Sequence, residues 1–317
     1  MVELLGERMR DSAPGESAAR DFRIGIDFGG TKIEAIALAD DGAVLSRRRV
    51  PNPGSYAAAI ATVAELVAAT EQAAAGRGSV GLGTPGSVSP ATGVMRNSNS
   101  LYLNGRPLAE DLAAALGRPV RLANDANCLA LSEASDGAAA GAASVFALVI
   151  GTGCGGGLVI DGALVEGAHG IAGEVGHSPL PWPTPEEAGV DACWCGQRGC
   201  LESWISGTGF ARAYAAEHGE ALAAPAIVAA ARAGEPRGQE ALDRYIDRLG
   251  RGLAMIVNLV DPAAIVLGGG MSNVGELYEH LPEVIRRHAF SDGWSGLIAP
   301  AQWGDSSGVR GAAWLWP

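Results

Sequence analysis

Residues 193–200 read Cys-Trp-Cys-Gly-Gln-Arg-Gly-Cys, which places three of the chain's five cysteines within eight positions. For those sulfurs to converge, the chain must fold tightly back on itself, and Gly196 and Gly199 give the backbone that freedom. With His177 upstream in Gly-Glu-Val-Gly-His, the thiols of Cys193, Cys195 and Cys200 complete a four-donor N/S set suited to tetrahedral zinc. Chance crowding of ordinary buried thiols explains this density poorly. A disulfide explains it poorly too, because Cys193 and Cys195 are too close for easy bridging and the odd total fits a reducing compartment. Cys128 and Cys154 lie in apolar or glycine-rich surroundings and read as inert small hydrophobes. Glu174 and Glu202 flank the cluster without being needed to fill it. The pattern points to a metal that shapes a pocket whose acids meet a substrate.

At 317 residues the chain is long enough for two domains with separate cores. A net charge of −12 argues against a nucleic-acid partner, since no basic stripe offsets the field. No apolar run approaches the roughly 20 residues of a membrane span. Residues 1–21 are polar, of mixed charge and without a signal-peptide core, and are expected to be a disordered tail. The expectation is a soluble, cytoplasmic protein.

Strands are predicted at 23–28, 34–39, 43–50, 80–83, 120–123, 145–150, 158–160 and 263–267. Helices are predicted at 57–75, 107–116, 208–218, 224–233, 238–258 and 274–287, and another from about 124 or 125. Alternation of the two predicts a two-domain α/β protein. The strand, glycine turn and strand at 145–160 echo residues 24–39, a hint of two related halves. Glycine turns at 29–30, 151–157 and 268–270 each end a strand, where backbone N–H groups can gather around an anion. None fits the Walker or dinucleotide pattern. Singly each reads as a tight turn, and together they favour a nucleotide. In Arg-Leu-Ala-Asn-Asp-Ala-Asn (121–127), Asn124 or Asp125 caps a helix on the plainer reading. On the other, Asp125 is a general base with Asn124 beside it.

Six motifs in order resemble those of the ROK family (repressors, open reading frames and sugar kinases): Asp-Phe-Gly-Gly-Thr-Lys (27–32), Thr-Pro-Gly (84–86), Asn-Asp-Ala-Asn (124–127), Gly-Thr-Gly-Cys-Gly-Gly-Gly (151–157), Gly-Glu-Val-Gly-His (173–177) and Cys-Trp-Cys-Gly-Gln-Arg-Gly-Cys-Leu-Glu (193–202). The resemblance runs from residue 22 to the C-terminus. It implies an α/β, actin-like ATPase (ribonuclease H-like) fold with ATP and a hexose in an interdomain cleft. Domains are expected at 22–123 and 124–305, the second carrying the zinc loop, with a helix at 306–317 returning to the first.

Carried over by position, the resemblance makes Asp125 the base that deprotonates the sugar hydroxyl. Asn124, Glu174, His177 and Glu202 become sugar ligands, with Gly86 and Asn99 as further contacts. His177 would also bind zinc through its other ring nitrogen. Gly29, Gly30, Thr31, Lys32, Gly151, Thr152, Gly153, Gly155, Gly268, Gly269 and Gly270 become the nucleotide contacts, for ATP with Mg²⁺.

Regulatory members carry a helix-turn-helix domain before the first phosphate motif. About twenty residues precede Phe22, too few for that module, so an enzyme is expected. Segments 97–105, 177–182 and 202–210 look most similar to ROK fructokinases of the mannofructokinase type, which makes D-fructose, phosphorylated at its 6-hydroxyl, the expected substrate. Glucokinases and N-acetylglucosamine kinases share the frame and stand as alternatives. Dimers are common among such kinases, and a homodimer is the corresponding expectation.

Overall fold

Alternating apolar residues in Arg23–Phe28 (β1) and Lys32–Leu38 (β2) form an antiparallel hairpin, extended by Val44–Pro51 (β3). The computed structural model describes residues 22–188 and 192–317, so the tail expected at 1–21 lies outside the described residues. Helix α1 (Tyr56–Ala74) carries the chain back to Ser79–Thr84 (β4), which runs parallel to β1 with Ile24 opposite Val80. A small hairpin of Ser87–Val88 (β5) and Met95–Arg96 (β6) follows, then α2 (Leu108–Leu116) and Val120–Asn124 (β7). Pro107 stands just before α2 rather than in its first turn, and Gly117 closes the helix in the left-handed region at φ 62°. The sheet order is β3-β2-β1-β4-β7.

The second half repeats this connectivity. Helix α3 (Asp125–Ser135) leads to the hairpin Ser144–Ile150 (β8) and Cys154–Ile160 (β9), extended by Ala163–Leu164 (β10). After α4 (Glu202–Ile205), α5 (Gly207–His218), α6 (Ala224–Arg232) and α7 (Pro236–Val260) comes Ala264–Gly268 (β11), parallel to β8. Helix α8 (Glu276–His288), Leu297–Pro300 (β12) and α9 (Ser307–Ala313) finish the chain. The order β10-β9-β8-β11-β12 matches that of the first sheet strand for strand. The echo between residues 24–39 and 145–160 is therefore part of a sheet-wide repeat. Helix α7 turns Leu242, Tyr245, Ile246, Leu249, Leu253 and Ile256 into the second core, at the spacing of one helical face.

The glycine run differs from expectation. The turn is confined to 151–153, and β9 begins at Cys154. A Cβ on Gly157 would lie 2.6 Å from the Ala126 carbonyl oxygen, and one on Gly156 would lie 2.6 Å from the Phe146 ring. These glycines let the strand pass close to α3 and to its own sheet neighbour, a packing role inside a strand.

The halves meet through helices. Helix α9 lies on β1 and β4 so closely that a Cβ on Gly25 would sit 1.9 Å from the Val309 carbonyl oxygen and one on Gly81 1.9 Å from that of Ala312. Gly311 in turn meets α3, where its Cβ would stand 1.7 Å from the Cys128 carbonyl oxygen. Buried Glu133 ties the end of α3 to the entry of α9, accepting from the Ala138 N–H at 2.8 Å, the Gln302 N–H at 2.9 Å and the Ser307 hydroxyl at 2.9 Å. The start of α3 is thereby fixed relative to both sheets. Among the described residues no helix is long and apolar enough to cross a membrane.

Candidate functional site

Where β7 ends and α3 begins, the Asn124 side chain accepts the Asn127 N–H at 2.7 Å and is the helix cap. Asp125, the first helical residue, is left free of the cap and exposed, its carboxylate accepting the Ala126 N–H at 2.9 Å. Its side chain is exposed by surface area, yet the protein crowded around it raises its pKa, burial being the largest cause. Glu174 also has a raised pKa: burial dominates, His177 and Arg96 oppose it, and the charges of Asp125 and Glu202 add to it. That mutual influence places Asp125, Glu174, His177 and Glu202 in one field.

Glu202 opens α4. Its Oε2 accepts the Cys154 N–H at 3.0 Å and its Oε1 accepts the Trp194 indole N–H at 2.7 Å. A Cβ on Gly153 would come 2.8 Å from that Oε2, so a larger residue there would displace the carboxylate. The carboxylate thus joins the β8–β9 turn to the cysteine loop.

The loop is folded by local pairing. Leu180 donates to the Gly199 carbonyl at 3.0 Å and Leu201 to that of Ser178 at 2.8 Å, which brings His177 beside the cysteines. The Cys193 N–H reaches the Gln197 carbonyl at 2.8 Å, with Gly196 and Gly199 at φ 89° and 73° where other residues would be strained. The four donor atoms of His177, Cys193, Cys195 and Cys200 lie within 4.8 Å of one another. Cys195 Sγ is 3.7 Å from Cys200 Sγ, and Cys193 Sγ is 3.6 Å from His177 Nδ1. Tetrahedral zinc, with sulfur at about 2.3 Å and nitrogen at about 2.0–2.1 Å, requires edges of about 3.8 Å and about 3.6 Å. The donor set fits that ion. Cys128 and Cys154 stand apart, buried, with thiol pKa values pushed up by burial, as inert residues should be.

The glycine turns serve different ends. A Cβ on Gly269 would touch the Ile150 carbonyl carbon at 2.8 Å and the Gly151 nitrogen at 2.9 Å, so the 151–153 and 268–270 turns lie side by side. Gly268 is held by packing against Leu129. Gly30 and Gly270 have neither a neighbour within 4 Å of a Cβ nor a positive φ. The fold itself does not require glycine there, which leaves the backbone open to close approach. The first turn is held by Asn52, whose side chain donates to the Gly29 carbonyl at 2.7 Å and whose N–H donates to that of Thr31 at 2.9 Å. Lys32 opens β2. Gly155, expected in a turn, is instead in the β9 ladder opposite Val149. Thr152 and Glu202 share a pocket of about 410 Å³ with Trp194 and Thr208. Gly86 answers its own surroundings: φ is 81° and a Cβ would meet the Arg96 carbonyl oxygen at 2.4 Å. Asn99 is exposed on the loop after β6.

Four residues with no assigned role in the sequence reading belong here. Asp27, inside the first motif, has its pKa raised to about 6 by burial first, then by Glu34 and Asp125, with Lys32 and Arg49 opposing. Arg96 donates to the His169 carbonyl at 2.7 Å and bridges the halves beside Glu174. Asn127 lines a pocket of about 220 Å³ with Asn124, Val88, Pro90 and Gly170, and its buried amide oxygen has no hydrogen-bond partner. Trp194 touches both Glu202 and His177. The motifs contained all but Arg96, but only contacts distant in sequence give them work.

The Asp27 shift has a measurable consequence. A carboxyl whose native pKa lies above its unfolded value holds its proton more tightly when folded, so stability falls as pH rises from about 4 to about 6. Asp27→Asn should stabilise the fold on the order of 2 kcal/mol at pH 7.5 after allowance for screening, and by nothing near pH 3.5. Urea unfolding at the two pH values checks this, and an equal gain at both would contradict it.

Comparison with known proteins gives a consistent picture. The ROK family is matched over residues 23–317. An N-acetyl-D-glucosamine kinase of Pasteurella multocida is 41% identical over 300 residues, covering 93% of this chain and 99% of the relative. The ROK hexokinase of Thermus thermophilus superposes with a TM-score of 0.83 at 35% identity, covering 92% of this chain and 97% of the other. A ROK glucokinase from Streptomyces griseus, solved with glucose and AMPPNP, gives a TM-score of 0.72 at 30% identity, covering 93% and 98%. With these motifs, this duplicated sheet topology and a match across nearly its whole length, the chain belongs to the ROK family and has the actin-like ATPase fold.

Proposed function

We propose that this ROK sugar kinase transfers the γ-phosphoryl group of ATP to the primary alcohol of a hexose, N-acetyl-D-glucosamine before others. The observation that carries the chemistry is Asp125, freed from capping by Asn124 and facing the cleft at the junction of the two sheets. Its carboxylate accepts the proton of the sugar hydroxyl as that oxygen attacks the γ-phosphorus and the bond to ADP breaks. Burial strengthens it as a base. Glu174, Glu202, Asn124 and the Nε2 of His177 hold the other hydroxyls.

Gly29–Lys32, the 151–153 turn and Gly268–Gly270 receive the phosphates through backbone N–H groups. The open space at Gly30 and Gly270 supports this. Gly155, lying in the ladder, has no part in it. Asp27 is the carboxylate placed to hold Mg²⁺, which, when bound, neutralises charge on the transferring phosphate. Zinc on His177 Nδ1 and the three cysteines fixes the loop that bears the sugar ligands, a structural role.

The acetamido sugar is supported by the N-acetyl-D-glucosamine kinases that match 92–93% of the chain. The pocket beside Asn124 supports it as well, since Val88 and Pro90 offer an apolar wall for a methyl group. D-Fructose is the second reading, favoured by segments 97–105, 177–182 and 202–210. A panel of hexoses with ATP and Mg²⁺ decides between them. N-acetyl-D-glucosamine is expected to lead fructose, glucose and mannose in kcat/KM by about tenfold or more, with 6-phosphate as product. Fructose leading by that margin would install the second reading, and no turnover of any hexose would defeat both.

A further inference from the structure

Between the metal-ligating pair Cys193 and Cys195 stands a tryptophan for which the reaction above has no use. It is 68% exposed, so packing does not account for it. Both of its specific contacts are with residues of the hexose site. The indole N–H donates to Glu202 Oε1 at 2.7 Å, and the ring stands against that of His177 with centroids 4.9 Å apart and planes at 84°. The other oxygen of Glu202 is occupied by the Cys154 N–H at 3.0 Å.

A glutamate at the start of a four-residue helix has several rotamers open to it. Donors at both carboxylate oxygens, one at the start of β9 and one on the cysteine loop, reduce these to one orientation. Oε2 keeps a further lone pair for a hydroxyl donor, and so does Oε1 when the Cys193 sulfur, 3.9 Å away, is a metal-bound thiolate that donates nothing. The indole is rigid, metal ligation would pin the backbone on either side of it, and its contacts with Glu202 and His177 hold the N–H in place before the sugar arrives.

We propose that Trp194 is a positioning residue of the hexose site: it orients Glu202 for the sugar hydroxyls and couples that carboxylate to the metal loop. This rests on the reading of Glu202 as a sugar ligand. Phenylalanine keeps the ring and removes the donor, which makes Trp194→Phe the informative variant. A hydrogen bond to a charged group predicts a rise of about tenfold in KM for the hexose, with KM for ATP within about twofold and zinc content unchanged.

A double-mutant cycle with Glu202→Ala gives the readout that a merely structural tryptophan would not move. If Trp194 acts through Glu202, adding Trp194→Phe to Glu202→Ala changes the hexose KM by less than about twofold. Three results overturn the proposal: a hexose KM for Trp194→Phe within about twofold of wild type, an undiminished effect in the Glu202→Ala background, or loss of zinc from Trp194→Phe. If Glu202→Ala alone leaves the hexose KM unchanged, the reading of Glu202 falls and takes the inference with it. If Glu202→Ala raises KM and Trp194→Phe does not, the inference alone falls.

Discussion

Asp125→Asn should lower kcat at least ~10²-fold while leaving the fold and ATP affinity in place. The two explanations of an acidic residue at a helix start make opposite forecasts, and the structure separates them. Capping belongs to Asn124, whose side chain takes the Asn127 N–H at 2.7 Å. Asp125 is one residue further on and contributes only a bond to the Ala126 N–H, which an asparagine oxygen also accepts. Helix α3 should therefore survive, and with it the contact between Cys128 and Gly311 that joins the halves. The variant loses a proton acceptor in a crowded cleft near Asp27 and Glu174, where carboxylate basicity is already raised. Steady-state kinetics with saturating hexose and ATP, beside a thermal melt, test this. A kcat within about threefold of wild type at unchanged Tm would return Asp125 to a structural role.

The cysteine loop was legible in the sequence because its logic is local. Three thiols and two turn-forming glycines fall within eight positions, and the donors do converge. Asn124 and Asp125 were legible as a pair, yet which of them caps the helix depended on a side-chain rotamer. The glycine-rich stretch misled for a physical reason. Glycine marks a tight turn, a ligand approach or a close packing contact alike, and Gly156 and Gly157 are packing contacts set by Phe146 and Ala126. The same holds for Gly25 and Gly81, whose partner, α9, arrives almost at the end of the chain. Arg96 escaped notice because its partner, the His169 carbonyl, is 73 residues away and carries no side-chain signature. Substrate preference was the least legible feature. The wall beside Asn124 is assembled from the β4–β5 region, the start of α3 and the loop at 166–170, and no one of these segments describes the cavity they enclose.

Removing the metal should cost the sugar site before it costs the sheets. Cys200→Ser takes away a donor whose sulfur stands 3.7 Å from that of Cys195, and a strong chelator on the wild-type protein takes away the ion instead. Structural zinc contributes on the order of 10–16 kcal/mol in small peptides that have little else to fold them. Here the two sheets have cores of their own, so the loss falls on the segment the metal closes. That segment carries His177 at one end and Glu202 just beyond the other, and Leu201 and Trp204 fasten it to the second core. Hexose kcat/KM should fall at least ~10²-fold, with KM for ATP changed less than about threefold, because the phosphate turns lie outside the loop. Elemental analysis of the wild type should return one zinc per chain, bound to His177, Cys193, Cys195 and Cys200. Full activity in strong chelator, from protein without stoichiometric zinc, would show that hydrogen bonds alone hold the loop. Glu202 would then owe its orientation to Cys154 and Trp194 without the metal.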